Sequence, residues 1–271
     1  LQSANSPGGS MILDSLKLDG KVAIITGAGR GLGRAMAVRF AQAGADVVAA
    51  ARTLSQLEET AALVKPTGRK CLIAQTDVTR SEQVNAMAAA TIKELGRIDI
   101  LINNAGGYHK GMGKPLHELT DDEWREGIDT NLTGQFYCCR AVITQMLKQQ
   151  SGKIINIASG WGLRGGKNVF AYACAKGAVL QLTRSLAVTY AKKNIAINCI
   201  VPGIFEGAAQ FFQGGKFIPL GRIGKDAELG PLALFLASDA SNHLNGAFIT
   251  IDGGGLAGGI SPTGVFPHQT D

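Results

Sequence analysis

Seven short apolar runs alternate with helix-forming stretches along nearly the whole of this chain. The runs lie at 21–26 (KVAIIT), 46–51 (DVVAAA), 70–75 (KCLIAQ), 98–102 (IDILI), 153–158 (KIINIA), 195–201 (IAINCIV) and 247–251 (AFITI). Their apolar residues are consecutive rather than alternate, so both faces of each strand need cover. That is the pattern of a parallel sheet lying between two layers of helices. Helical patterning falls between the runs, near 31–43, 53–65, 81–95, 121–149, 172–192 and 226–238. Gly44 is expected to close the first helix, and Thr79 or Ser81 to cap the third. The alternation predicts a doubly wound α/β sheet of about seven parallel strands with helices on both faces. No linker, repeat or charge block divides the chain, so 11–271 reads as a single domain. Residues 1–10 (LQSANSPGGS) read as an expression remnant ahead of Met11, the expected natural start.

Bulk properties remove several classes of function. No apolar run approaches the 18 or so residues of a membrane helix. The net charge is +6, but the basic residues are scattered rather than gathered in the stripe that nucleic-acid binding requires. A basic balance also suits phosphate groups, which brings Arg30, Arg34 and Arg52 into view. The five cysteines, Cys71, Cys138, Cys139, Cys174 and Cys199, are odd in number and lack metal-binding spacing. Each lies among apolar or small residues, so they are expected to be buried reduced thiols of a cytoplasmic protein. The four histidines show no paired spacing, and no metal site is expected.

The first strand runs directly into Thr26-Gly27-Ala28-Gly29-Arg30-Gly31-Leu32-Gly33, and a helix follows. Glycines there let the backbone approach a diphosphate, and the helix N-terminus attracts its charge. A glycine string alone is weak, but this one stands between first strand and first helix, as a Rossmann-type site requires. Sites for NAD place an acid at the end of the second strand, to hold the ribose 2′-hydroxyl. Here that end is Ala50-Ala51-Arg52, and Asp46 lies at the strand's other end. Arg30 and Arg52 together suit a 2′-phosphate, so NADP is expected ahead of NAD.

Tyr172 precedes Lys176 by four residues, and Ser159 lies thirteen before the tyrosine. Residues four apart share a helix face. An ammonium about 4 Å from a phenol oxygen favours tyrosinate by about 4 kcal/mol at an effective dielectric of about 20. That corresponds to roughly three pKa units and would bring the phenol toward neutrality as a proton carrier. A nearby serine hydroxyl can hold a substrate oxygen as charge develops on it. Chance alone produces such a Tyr/Lys pair in roughly one chain in five, so its weight depends on the residues around it.

With those residues present together, the chain resembles the classical short-chain dehydrogenase/reductase family. That family's pattern is T-G-x-x-x-G-x-G, then N-N-A-G, then Ser and Tyr-x-x-x-Lys. Here Asn103-Asn104-Ala105-Gly106 follows the fourth strand, Ser159 the fifth and Pro202-Gly203 the sixth. The resemblance covers about residues 19–254. It implies hydride transfer between a nicotinamide cofactor and a ketone or secondary alcohol. Tyr172 would be the acid or base, Ser159 would hold the substrate oxygen, and Lys176 would lower the phenol pKa and hold the nicotinamide ribose. Asn131 would maintain a helix distortion or a water that relays protons. Gly27, Gly31, Leu32 and Gly33 would cradle the diphosphate, Arg30 and Arg52 would grip the 2′-phosphate, and Asp77-Val78 would meet the adenine. Asn104, Ala105 and Gly106 would lie beside the adenine ribose, with Pro202 and Gly203 beside the nicotinamide. Where the family often has a threonine, five residues after that proline, this chain has Gly207, whose backbone N–H is the expected substitute.

The substrate pocket is expected between 107–116, 160–168 and 203–218. Phe205, Phe211, Phe212 and Phe217 in the last stretch read either as an apolar lid or as core. Tyr108 and His109 are candidate substrate contacts, and Lys110, Lys114, Arg164, Lys167 and Lys216 a basic rim that attracts anions. The chain also resembles 3-oxoacyl carrier-protein reductases, which implies that activity or a general carbonyl reductase. A sugar-acid or polyol dehydrogenase remains the alternative. A non-catalytic NADP sensor and a sugar-nucleotide epimerase rank below. The resemblance also implies a homodimer or homotetramer, and the Gly/Pro-rich tail 253–271 could reach a neighbouring subunit or cover the site mouth.

Overall fold

The computed structural model describes residues 12–207, 215 and 218–258. Among them, seven parallel strands form one sheet: β1 (Val22–Thr26), β2 (Asp46–Ala51), β3 (Cys71–Gln75), β4 (Ile100–Asn103), β5 (Gly152–Ile157), β6 (Ile195–Pro202) and β7 (Phe248–Ile251). Their spatial order is β3-β2-β1-β4-β5-β6-β7. The order reverses between β1 and β4, which pair with Ile25 beside Ile102. A crevice opens beyond the strand ends at such a reversal, and ligands of open α/β sheets bind there.

The helices are α1 (Gly31–Gln42), α2 (Leu54–Val64), α3 (Ser81–Leu95), α4 (Asp121–Ile128), α5 (Gly134–Gln149), α6 (Phe170–Tyr190) and α7 (Asp226–Ala237). Strand residues alternate between two helical layers. Ile25, Ile102 and Ile155 pack with Met36 and Phe40 of α1, Leu57 of α2 and Leu236 of α7. Their neighbours Ile24, Leu101 and Ile154 pack with Val84 of α3 and with Cys138, Val142 and Met146 of α5. Each fully buried isoleucine contributes about 1.5–3 kcal/mol, which is why consecutive apolar residues appear in these strands.

Several expectations need correction. The stretch 121–149 is not one regular helix, because a π-helical turn at Asp129–Thr133 separates α4 from α5. Neither Thr79 nor Ser81 caps α3. Its N-cap is Arg80, without a side-chain cap bond, and the Thr79 hydroxyl bonds the Asp77 carboxylate instead. Cys138, Cys139 and Cys199 are buried, but Cys71 is half-buried and Cys174 is exposed. The helical period explains Cys174: the face that turns Tyr172 and Lys176 inward turns the residue between them outward. Phe205 belongs to the core. Phe211, Phe212, Phe217 and Lys216 lie outside the described residues, as does most of the tail, 259–271.

Candidate active site

The turn from β1 into α1 is tied to the end of β4. Thr26 Oγ1 accepts N–H bonds from Asn104 and Ala105 at 3.0 Å each, and Asn104 Nδ2 donates to the Thr26 carbonyl at 2.9 Å. Asn104 therefore braces the sheet at its reversal point. A side chain at position 33 would drive its Cβ into the Gly27 carbonyl oxygen, so only glycine lets α1 lie this close to the strand end. Arg30 is the α1 N-cap and makes no side-chain cap bond. The first N–H groups of a helix capped in this way are directed at an anion site.

Arg30 and Arg52 are both exposed, at the ends of the adjacent strands β1 and β2. Arg34 is committed elsewhere: it pairs with Glu59 at 2.6 Å and also bonds Thr60 and the Gly29 carbonyl. Asp46 sits at the opposite end of β2, held by Arg69 at 2.8 Å and by the Lys70 N–H. Asp77 closes its own turn, accepting from the Thr79 N–H and hydroxyl. Val78 is buried beside it, against Gly134. Pro202 is buried at the end of β6, and a Cβ on Gly203 would overlap Asp252. The Gly207 N–H, expected to be available to a ligand, bonds the Asp226 carboxylate.

Asn131, Ser159, Tyr172 and Lys176 lie beyond the ends of β4 and β5. Asn131 is fully buried within the π turn. The wider turn frees the Gly127 carbonyl, and Asn131 Nδ2 bonds it at 3.0 Å. The same amide group makes a reciprocal pair with the Gly107 backbone, accepting at 2.7 Å and donating at 3.1 Å. Gly106 is required here, because a Cβ would stand 2.7 Å from Asn131 Oδ1 and 3.4 Å from Lys176 Nζ. Ser159 leaves β5 in extended backbone, and its Oγ accepts the Trp161 N–H at 3.3 Å. Trp161 meets the Tyr172 ring edge-on, with centroids 6.0 Å apart.

The electrostatics depart from the expectation based on the Tyr/Lys spacing. Lys176 Nζ donates to the Ile157 carbonyl at 2.9 Å and stands 5.7 Å from the Tyr172 ring centroid. Burial raises the Tyr172 phenol above its ordinary value, and a hydrogen bond with Ser159 opposes that rise. Lys176 is not what lowers the phenol. Burial instead depresses the lysine itself, from 10.5 to about 8.

This has a consequence for stability. Between pH 8 and 10.5 the unfolded chain holds a proton that the folded chain lacks, so Lys176 makes stability rise with pH across that window. Below about pH 8 the full cost of burying the ammonium is present. Lys176→Met is therefore expected to stabilise the chain at pH 7 by about 3 kcal/mol. The gain should fade toward pH 10.5. Thermal melts of both proteins across this range check it, and a variant less stable at pH 7 contradicts it.

Two of the expected pocket walls are joined. The Gly113 N–H donates to the Asn168 carbonyl at 2.8 Å, and Asn168 Nδ2 returns a bond to the Gly113 carbonyl. Tyr108 is exposed, but His109 is 3% exposed and packs toward α4 and α6 beside Gly127. Both its ring nitrogens lack partners, and burial lowers its pKa. It is a buried side chain rather than part of an open pocket lining. Lys114 is paired with Glu123 at 2.6 Å, whereas Lys110, Arg164 and Lys167 are exposed. At the foot of the lid stretch, Ile204, Phe205, Ile218, Leu220 and Ile251 line a cavity of about 150 Å³.

Sequence reasoning missed Gln135 and Asp226. Gln135 is a buried polar residue on an otherwise apolar face of α5, and that contrast was its only signal. Asp226 approaches the phosphate-loop turn, since a Cβ on Gly31 would stand 3.6 Å from Asp226 Oδ2. That contact joins residues far apart in the chain and has no local signature. Among the described residues, no cluster of three or more His, Cys, Asp or Glu is arranged to hold a metal, and no helix is long and apolar enough to cross a membrane.

Residues 21–212 match the short chain dehydrogenase family. The chain is 36% identical over 251 residues to 3-oxoacyl-(acyl-carrier-protein) reductase of Chlamydia trachomatis, covering 86% of this chain and 96% of that one. It is 37% identical over 257 residues to 2-dehydro-3-deoxy-D-gluconate 5-dehydrogenase of Dickeya dadantii, covering 91% and 100%. A solved 7α-hydroxysteroid dehydrogenase, in complex with NADH and a 7-oxo bile acid, superposes with a TM-score of 0.85 at 32% identity, covering 90% and 98%. The chain belongs to the short-chain dehydrogenase family and is an NAD(P)-dependent oxidoreductase acting on a carbonyl or alcohol carbon.

Proposed function

We propose that this enzyme interconverts a ketone and a secondary alcohol with NADP(H), with Tyr172 giving the proton in reduction and taking it in oxidation. The observation that carries this reading is the meeting of Ser159, Tyr172, Lys176 and Asn131 beside the glycine cradle of β1 and α1. The cradle fits a dinucleotide, because a side chain at Gly33 is excluded and the α1 N-terminus carries no side-chain cap. Gly27, Gly31, Leu32 and Gly33 would hold the diphosphate, and Arg30 with Arg52 the 2′-phosphate. Asp77 and Val78 would meet the adenine, and Asn104, Ala105 and Gly106 the adjoining ribose. Tyr172 and Lys176 would hold the nicotinamide ribose, beside Pro202 and Gly203. When bound, the dinucleotide supplies or accepts the hydride.

The protein's own residues orient the substrate and move the proton. The Ser159 hydroxyl, already engaged with the phenol, holds the substrate oxygen where charge develops. Burial keeps the phenol protonated at neutral pH, the form that neutralises an alkoxide in reduction. Asn131 keeps the π turn open and anchors Gly107 at the edge of the site. The exposed Arg30 and Arg52, with no acid at the end of β2, support NADP over NAD.

The first substrate reading is a 3-oxoacyl compound or a related carbonyl, in line with the carrier-protein reductase relative. The exposed Lys110, Arg164 and Lys167 also suit a carboxylate, which favours a sugar acid as the second reading. Exposed apolar side chains on the outer helices, Trp124, Phe136 and Val188, support assembly into a homodimer or homotetramer. A panel of 3-oxoacyl thioesters, keto sugar acids, polyols and diketones, each with NADPH and NADH, tests the function. Turnover of a carbonyl compound with NADPH is expected. Absence of turnover with every member would leave a cofactor sensor as the better reading.

A further inference from the structure

We propose that Gln135 is a positioning residue for Lys176, acting through the Ile157 carbonyl that both side chains share. This rests on the proposed function, in which Lys176 stands beside Tyr172, the residue that moves the proton. A carbonyl oxygen has two lone pairs. Lys176 Nζ takes one at 2.9 Å and Gln135 Nε2 the other at 3.1 Å. The carbonyl can only accept, so it is the amide's NH₂ edge that faces it. The opposite edge is then stranded: Gln135 Oε1 is buried without a partner. Buried polar atoms are nearly always satisfied, and an apolar side chain at 135 would avoid the penalty. Elsewhere on α5 the buried side chains are apolar or thiol, namely Cys138, Cys139, Val142 and Met146. A glutamine kept here at such a cost calls for a role.

That role follows from the shared Ile157 carbonyl, at the edge of a buried network. The Gln135 backbone carbonyl receives a long bond from Asn103 Nδ2 at 3.4 Å, Asn103 donates to Asn156 at 2.9 Å, and Asn156 donates to Thr183 on α6 at 2.9 Å. The start of α5 is thereby linked through β4 and β5 to the helix that carries Lys176. Gln135 acts on the ammonium in two ways of the same sign. It occupies part of the carbonyl's accepting capacity, and it turns the positive edge of its dipole toward the cation. Both disfavour the charged lysine and add to the effect of burial. The titratable groups facing Lys176 are Tyr172 on its own helix and Cys199 on β6. The Cys199 thiol is pushed up to about 12 by burial and stays neutral at working pH.

Gln135→Met and Gln135→Leu keep the bulk and remove the amide. Each is measured by kcat against pH with NADPH and a turned-over carbonyl, and by NMR titration of isotope-labelled lysine. The expected result is that Lys176 and the alkaline limb of kcat both move up by about half a pH unit or more, with the NADPH KM within about twofold. A uniform fall in kcat with an unmoved limb, a downward shift, or failure of both variants to fold assigns Gln135 a structural role and overturns the proposal. Tyr172→Phe is assayed in parallel. If that variant stays active, the proton-transfer reading has failed; if it is inactive while the Gln135 variants leave Lys176 unmoved, only the present inference has failed.

Discussion

Tyr172→Phe is expected to lower kcat by about 10²–10⁴-fold, the usual contribution of a positioned general acid, while NADPH affinity stays within a few-fold. The substitution removes one oxygen and little else. Phenylalanine keeps the ring that Trp161 meets edge-on at 6.0 Å and that lies 5.7 Å from Lys176 Nζ. The phenol is neutral at pH 7 in both the folded and the unfolded chain, so its raised pKa carries no stability there, and the variant should lose no more than the Ser159 hydrogen bond, about 0.5–1.5 kcal/mol. The loss therefore falls on the chemical step. Single-turnover kinetics with NADPH, together with a separate binding titration, separate the two quantities. Retention of most of the turnover would remove Tyr172 from the mechanism.

Arg52→Asp is expected to shift cofactor preference from NADPH toward NADH. Loss of one charge-assisted hydrogen bond to a 2′-phosphate is worth about 1.5–3 kcal/mol, or roughly 10- to 150-fold in the ratio of kcat/KM values. The introduced carboxylate adds repulsion against a phosphate and an acceptor for a ribose hydroxyl, so the swing should exceed the loss of arginine alone. Arg52 is exposed, and its carbonyl accepts a hydrogen bond from Gln75 Nε2 at 2.9 Å. That bond survives the substitution, and the fold should be unaffected. Arg30 remains, so a residual use of NADPH is expected. An unchanged ratio of NADPH to NADH efficiency rules out Arg52 as the discriminating residue.

The strands were legible because a parallel sheet covered on both faces leaves an unmistakable apolar run, and all seven were found to within about two residues. The site residues were legible for a related reason. Gly27 to Gly33, Asn104, Ser159 and Gly203 follow strand ends, so strand positions also locate the crevice. The interruption of 121–149 was not legible in the periodicity, and only the family resemblance, through Asn131, pointed to a helix distortion there. Nothing in the periodicity there marks a π turn, because the turn is held by Asn131 bonding to Gly107, 24 positions away in the chain. Arg34 looked as available as Arg30 until Glu59 was brought beside it. His109, in a stretch that reads as loop, proved to be buried against two helices.

The sequence by itself determined the alternating architecture, the phosphate loop, and the order in which Asn131, Ser159, Tyr172 and Lys176 arrive at the strand ends. These follow from local pattern and spacing, which short-range sterics and burial enforce. Only the tertiary structure decided where the charges lie. A spacing of four places Lys176 on the same helix face as Tyr172, but not its ammonium against the phenol oxygen. The ammonium bonds the Ile157 carbonyl, and burial raises the phenol and depresses the lysine. Desolvation depends on everything packed around a group, and most of that packing comes from distant parts of the chain.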